Sequence, residues 1–211
     1  MSVSNGIFIT LEGIEGSGKT TQHQKLSAHL EKTGRQIVST REPGGTGIGK
    51  VLREMILSPE TKFQCDKTEI LLFFADRMEH VETVVKPALE EGKVVICDRY
   101  FDSTVAYQIG GRDMPADFIH ALQTHINLVP DLTLLFDISP EEGLRRAINR
   151  ADLDRFEQEE MDFHHRVRNT YLGIADKEPN RVRKIEVGTL SVDDVFDKVL
   201  ALIEDKIPAL S

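Results

Sequence analysis

The sequence predicts an α/β fold: a five-stranded parallel sheet, doubly wound, with helices on both faces. Three observations predict it. Apolar runs of strand length alternate with amphipathic helical stretches, the pattern of strand–helix–strand units joined by right-handed crossovers. The first apolar run leads into a glycine-rich turn, Gly13-Ile14-Glu15-Gly16-Ser17-Gly18-Lys19-Thr20, and then a helix. Charged residues also stand where strands should end: Arg41-Glu42, Asp98-Arg99 and Asp137. In such sheets ligands bind beyond the carboxyl ends of the strands, so these positions converge on one site.

In chain order, Ile7, Phe8, Ile9 and Leu11 form a buried strand, and Thr20 to Leu30 a helix behind the glycine turn. Arg35 to Thr40 is a second strand. It runs into Arg41-Glu42-Pro43-Gly44-Gly45-Thr46-Gly47, where proline and glycine exclude regular structure. Ile48 to Leu57 is a short helix stopped ahead of Pro59. Asp66 to Glu91 is a long helix, with Ile70, Phe74, Met78, Val81, Val85, Ala88 and Leu89 at helical spacing. Pro87 is placed to bend it and Gly92 to end it.

Lys93 to Asp98 is the third strand. Short helices around Asp102 to Gln108 and Ala116 to Asn127 are separated by Gly110-Gly111-Arg112, and Asp131 to Asp137 is the fourth strand. Ser139-Pro140-Glu141-Glu142 opens a helix, with a serine N-cap, a proline at the first position and a capping-box glutamate. A charged stretch, Arg150 to Arg155, precedes a helix from Glu157 to Ala175. Arg181 to Val187 is the fifth strand. Ser191 and Asp194 cap a last helix that turns Val195, Phe196, Val199, Leu202 and Ile203 to the core.

At 211 residues the chain fits one domain with a sizeable core. A net charge of −9, with no basic tail, argues against general DNA or RNA binding but leaves room for local arginines. Cys65 and Cys97 form no C-x-x-C pair, so a reduced, cytoplasmic protein is expected, with Cys97 as a core thiol. No signal peptide is expected, and the apolar runs are too short to span a bilayer. The histidines offer no metal site: His164 and His165 are adjacent and point apart on a helix.

Gly13 to Thr20 fits G-x-x-x-x-G-K-[ST] in the strand–turn–helix context that the phosphate-binding loop requires. Glycines let the backbone aim its N–H groups inward at an anion, and the helix N-terminus adds partial positive charge. Lys19 is placed to reach the β- and γ-phosphates of a nucleotide, and the Thr20 hydroxyl to reach Mg²⁺.

The loop alone does not distinguish switch, motor and transferase. The D-x-x-G and [NT]-K-x-D strings of a GTPase switch do not occur, and a motor usually needs more chain. The sequence adds a second set of anion-binding groups, Arg41, Arg53, Arg77 and Arg99, and a basic segment from Arg146 to Arg155. Two phosphate sites and a basic lid fit a kinase that moves a γ-phosphoryl onto another phosphate. Singly, each arginine fits a surface ion pair as well; the argument rests on the set. Phe73 and Arg77 share a helix face and could stack on and hydrogen-bond a base, although Phe73 fits core packing equally on pattern alone. The open alternatives are another deoxynucleotide or deoxynucleoside kinase, and a non-enzymatic nucleotide switch.

Taken together the motifs resemble the thymidylate kinase family. They are Leu11-Glu12-Gly13-Ile14-Glu15-Gly16-Ser17-Gly18-Lys19-Thr20-Thr21, Thr40-Arg41-Glu42-Pro43-Gly44-Gly45-Thr46, Leu72-Phe73-Phe74-Ala75-Asp76-Arg77, Asp98-Arg99-Tyr100 and Ala106-Tyr107-Gln108 with Gly111-Arg112. Asp131-Leu132-Thr133 and Leu153-Asp154-Arg155-Phe156-Glu157 extend the similarity over essentially the whole chain.

The resemblance implies a nucleoside-monophosphate-kinase-like fold, transfer of the ATP γ-phosphoryl to dTMP, Mg²⁺, and a homodimer without nucleic-acid or membrane partners. It implies that Gly13, Ile14, Glu15, Gly16, Ser17, Gly18, Lys19, Thr20 and Thr21 hold ATP, and that Thr20 and Asp98 serve the metal directly or through water. Arg99 bridges donor and acceptor phosphates, Arg53 holds the dTMP phosphate, and Phe73 stacks on thymine while Arg77 and Gln108 read its edge. Thr104 matches a base-contacting position, with Ser103 leaving the register open. Tyr107 lies against the deoxyribose, and Glu15 and Glu42 frame the acceptor. Gly16 stands where eukaryotic-type members carry an arginine, so the chain resembles the bacterial type. There the arginine comes from the lid, about residues 146–157: Arg150 is the best match, then Arg155, with Arg146 in the same segment. Glu186-Val187-Gly188 departs from the family pattern near the adenine.

Overall fold

The computed structural model describes residues 6–148 and 154–207. Its centre is a sheet of five strands in the order β2-β3-β1-β4-β5. The strands are β1 (Ile7–Glu12), β2 (Ile37–Arg41), β3 (Val94–Asp98), β4 (Leu132–Asp137) and β5 (Val182–Glu186), and every pairing is parallel. β1 lies between β3 and β4, and the chain leaves β1 toward β2 but leaves β3 toward β4. The crevice where these connections diverge is the place where open α/β sheets bind ligands. The register sets Leu11 beside Asp98, so the phosphate loop and Asp98-Arg99 leave the sheet side by side.

The two-residue period of the strands sorts the core. Ile9, Leu11, Val94 and Ile96 face Leu26 and Leu30 of α1 (Lys19–Lys32) and Val195, Val199 and Ile203 of α9 (Val192–Lys206). Phe8, Val95 and Cys97 face the other way, against Ile70 and Phe74 of α3 (Asp66–His80) and Ile119 of α6 (Ala116–Thr124). That face also carries Thr10 and Glu12, which are fully buried. α9 begins with the expected capping box: Ser191 Oγ accepts from the Asp194 N–H at 3.1 Å.

Three expectations are corrected. Met78 is 46% exposed and does not belong to the buried stripe of the long helix. Arg77, 2% exposed, faces inward instead because Glu42 pairs with it. That helix passes through a π-helical turn at Val81–Val85 into α4 (Lys86–Glu90), ahead of Pro87.

The first of the two short helices runs on past Gln108, and the gap before α6 falls at residues 112–115 rather than at the glycine pair. α5 (Phe101–Thr104) continues as a π-helical turn over Val105–Gly111. The glycines allow close packing: a Cβ on Gly110 would lie 2.0 Å from Thr170 Oγ1, and one on Gly111 2.4 Å from the Phe163 ring. Both neighbours belong to α8 (Met161–Lys177), which starts later than Glu157; the preceding residues form turns that cover the cleft. The remaining helices are α2 (Gly47–Leu57) and α7 (Pro140–Ile148). Cys97 is a buried core thiol as expected.

Candidate active site

A cleft lies beyond the carboxyl ends of β1, β2 and β3. One wall is the loop between β1 and α1. Gly13, Gly16 and Gly18 take φ of 138°, 68° and 92°, values that favour glycine and curl the loop. Gly18 caps α1 without a side chain, so the first amides of the helix face the cleft as donors for an anion. The Lys19 ammonium donates to the carbonyls of Gly13 and Ile14, both at 2.8 Å, and to Ser17 Oγ at 3.3 Å. Burial first, and then repulsion from Arg99, lower its pKa to about 8. Thr20 and Thr21 line the same wall.

Thr20 Oγ1 donates to Asp98 Oδ2 at 3.5 Å, while Asp98 Oδ1 is buried with no hydrogen-bond partner among the described residues. A hydroxyl and an incompletely satisfied carboxylate beside a phosphate loop fit a hydrated Mg²⁺ that arrives with a nucleotide. Among the described residues no cluster of three or more His, Cys, Asp or Glu forms a metal site of its own.

Arg99 stands at the centre. Its φ of 71° is strained for a non-glycine residue, a cost on the order of 1–3 kcal/mol. Its guanidinium donates to Glu15 Oε1 at 2.8 Å, Ser103 Oγ at 3.2 Å and the Tyr171 hydroxyl at 3.3 Å, and lies over the Tyr107 ring. Behind it, Glu12 Oε2 accepts from Ser103 Oγ at 2.6 Å and from Tyr171 at 2.9 Å, and Glu12 Oε1 from the Tyr100 N–H at 2.7 Å. The two hydroxyls spend their protons on Glu12 and so turn lone pairs toward Arg99. Burial, and then repulsion from Asp102, raise the Glu12 pKa to about 7. Glu15 is also buried, but Arg99 and Lys19 outweigh that and hold its carboxyl below the usual range. Tyr107 donates to Glu15 Oε1 at 2.5 Å.

The far end of the cleft is built on α3. Arg77 Nε donates to Glu42 Oε2 at 2.7 Å, and Arg77 Nη2 to Tyr100 O at 3.1 Å and Thr104 Oγ1 at 3.0 Å. Arg77 Nη1 is buried and has no hydrogen-bond partner among the described residues. His80 Nδ1 lies 2.8 Å from Glu42 Oε1, so Glu42 is committed to Arg77 and His80. Phe73, Thr104, Tyr107 and Gln108 line this end with Phe156, whose ring meets Phe73 at 6.2 Å and Tyr107 at 5.7 Å. Ser103 belongs to the Glu12 network and Thr104 to Arg77, which separates the two neighbours. Arg53 donates to Pro43 O at 2.8 Å; burial and the nearby charges of Arg41 and Arg99 lower its pKa. Cations crowded in this way prepare a site for an anion. Arg41 itself is exposed and outside the cleft lining.

The described arginines of the basic segment, Arg146 and Arg155, have separate partners. Arg150 lies outside the described residues. Arg146 is drawn to Glu142 Oε1 and Gly188 O, both at 2.8 Å, at the end of β5. Arg155 turns away from the phosphate loop: its Nη1 pairs with Glu69 Oε2 at 2.8 Å and its Nε donates to Ile56 O at 3.0 Å. A carboxylate as buried as Glu69, 1% exposed, requires such a partner.

Several participants were not foreseen: Glu12, Tyr171, Glu69, His80 and Phe156. Two left a trace in the sequence. Glu12 is an acidic residue closing an apolar strand, and Phe156 a lone aromatic in a charged stretch.

The family model for thymidylate kinase matches residues 11–199. A thymidylate kinase of Pseudomonas syringae pv. tomato is 48% identical over 200 residues, 92% of this chain and 95% of that one. One from Desulfosudis oleivorans is 47% identical over 185 residues, 83% of this chain and 86% of that one. The crystal structure of thymidylate kinase from Ehrlichia chaffeensis superposes with a TM-score of 0.76 at 32% identity, covering 95% of this chain and 99% of that one. With its five-stranded sheet and phosphate loop in the arrangement of a nucleoside monophosphate kinase, this chain belongs to the thymidylate kinase family.

Proposed function

We propose that this chain transfers the γ-phosphoryl of ATP to dTMP, giving ADP and dTDP. One observation carries the reading: the cleft lined by the phosphate loop is also lined by Phe73, Gln108 and Arg77, whose Nη1 has no partner among the described residues. An aromatic face, an amide and a free guanidinium N–H are the groups that stack on a pyrimidine and bond the ring N–H and carbonyl of its edge.

The loop amides and Lys19 hold the β- and γ-phosphates, and Thr20 and Asp98 hold Mg²⁺. Bound Mg²⁺ supplies charge neutralisation between those phosphates. Arg53 holds the dTMP phosphate, and Arg99 spans both nucleotides, pinned by Glu15, Ser103 and Tyr171. Tyr107 packs against the deoxyribose, and Glu15 aims both Tyr107 and Arg99. A dTMP phosphate oxygen bonds to the γ-phosphorus as the bond to the β–γ bridging oxygen breaks. The attacking oxygen is already ionised, so no general base is assigned. Arg150 completes charge stabilisation from the lid, and Arg146 at the end of β5 borders the adenine. Glu42 acts on the acceptor through Arg77.

A homodimer fits the surface. Ile48, Val51 and Met55 on α2 are 59%, 61% and 46% exposed, and Leu71 and Met78 on the adjoining α3 are 48% and 46% exposed. An apolar face of this kind is suited to a second copy, and light scattering should give twice the chain mass. No described helix is long and apolar enough to cross a membrane.

The activity is tested by ADP release with ATP, Mg²⁺ and each of dTMP, dUMP, UMP, dGMP and thymidine. Preference for dTMP is expected. Turnover of thymidine alone indicates a nucleoside kinase, and none at all a binding module.

A further inference from the structure

Glu69 has no role in the reaction as described, yet it is 1% exposed and divides its two oxygens between distinct tasks. Oε2 takes Arg155 Nη1 at 2.8 Å and Arg112 Nη1 at 3.3 Å. Oε1 takes Gln108 Nε2 at 2.9 Å. Two guanidinium groups keep the carboxylate an acceptor only. Gln108 must therefore turn its NH₂ toward Glu69, which leaves its carbonyl oxygen for the cleft it lines beside Phe73. The terminal torsion of a glutamine is broad and roughly two-fold, so an unpinned amide could present either atom.

We propose that Glu69 is a positioning residue for specificity: by fixing the amide of Gln108 it presents an acceptor to the base. A pyrimidine whose ring N3 carries hydrogen meets that acceptor with a donor. A cytosine-type ring, whose N3 is an acceptor, meets it with repulsion, and site groups left unpaired discriminate strongly. The inference rests on the reading of this end of the cleft as the dTMP base site.

The test is a kinetic double-mutant cycle with dTMP and dCMP, using Glu69→Gln, Gln108→Leu and the double variant, with Tm measured for each. Glu69→Gln keeps the shape but can donate as well as accept, so Gln108 is free to turn. Expected for Glu69→Gln are a KM for dTMP raised about tenfold, kcat within about twofold, and a dTMP-over-dCMP preference in kcat/KM lowered about tenfold, roughly the worth of one good hydrogen bond. In the Gln108→Leu background the same change should leave KM and preference unmoved. An equal effect of Glu69→Gln in both backgrounds, or none in the wild-type background, overturns the proposal. If Glu69→Gln does not fold, Glu69→Asp replaces it in the cycle, since it keeps the charge for Arg112 and Arg155 while withdrawing the carboxylate from Gln108. Wild-type turnover is measured first: no reaction with dTMP overturns the site reading, whereas turnover with additive effects overturns the role of Glu69 alone.

Discussion

A Cβ on Gly16 would lie 2.0 Å from the carbonyl oxygen of Gly143, and one on Gly143 2.5 Å from that of Glu15. The phosphate loop and α7 are thus in backbone contact. Gly16 also takes φ of 68°, which disfavours any side chain. The loop of this chain has no room for an arginine, which supports its supply from the lid.

Gly16→Arg should therefore not rescue an enzyme lacking Arg150. Strain on the order of 1–3 kcal/mol, added to the backbone clash, should raise the KM for ATP by about tenfold or more. Steady-state kinetics of Gly16→Arg with Arg150→Ala check this; restored kcat would mean that the loop can accept the arginine.

Lys19 should make ATP affinity depend on pH. Burial and Arg99 lower its pKa to about 8 in the free protein, whereas bound phosphates favour the charged form. Affinity should be fullest below about pH 8 and fall as pH rises beyond it. Titration calorimetry between about pH 7 and pH 9.5 should show this loss, and Lys19→Met, already weak, should bind ATP without that slope and show almost no turnover.

Glu12 should set a pH dependence of stability. Its pKa is raised from 4.5 to about 7 by burial and Asp102, so the folded state prefers its neutral form. That contribution is full below about pH 4.5 and is lost as pH rises through about 7. Relative to Glu12→Gln, the wild type should thus lose roughly 1–3 kcal/mol between about pH 5 and pH 8. Urea unfolding of both proteins at the two pH values measures it; parallel changes would reject Glu12 as the source.

Phe73→Ala and Arg150→Ala should fail in different constants. Loss of the stacking face should raise the KM for dTMP about tenfold with kcat little changed, whereas loss of a transition-state arginine can lower kcat on the order of 10³-fold. An unchanged KM would return Phe73 to the core, and an unchanged kcat would remove Arg150 from catalysis.

The parts legible in the sequence share one property: each is encoded by near neighbours. Gly13 to Gly18 is a loop because its glycines permit positive φ, and Ser191 with Asp194 starts a helix because the cap lies three residues away. The errors came where distant chain decided the outcome. Gly110-Gly111 reads locally as the gap between two helices, yet the first helix runs through both glycines, which let its π-helical turn approach Thr170 and Phe163. Met78 fits the apolar spacing of its helix, but Glu42 turns Arg77 inward and leaves Met78 exposed. Spacing also gave no sign that Arg155 pairs with Glu69.

The sequence by itself determined the alternation of strands and helices, the phosphate loop, and the collection of charged residues at the strand ends, because backbone conformation and side-chain period are local. Only the tertiary structure decided which charges are tools and which are braces. A buried charge must find a partner or remain poised for a ligand, and that choice depends on distances across the fold. Arg99 is held against Glu15 with Glu12 behind it, Arg77 Nη1 has no partner among the described residues, and Glu69 is pinned by two arginines while it turns Gln108. None of these follows from spacing along the chain.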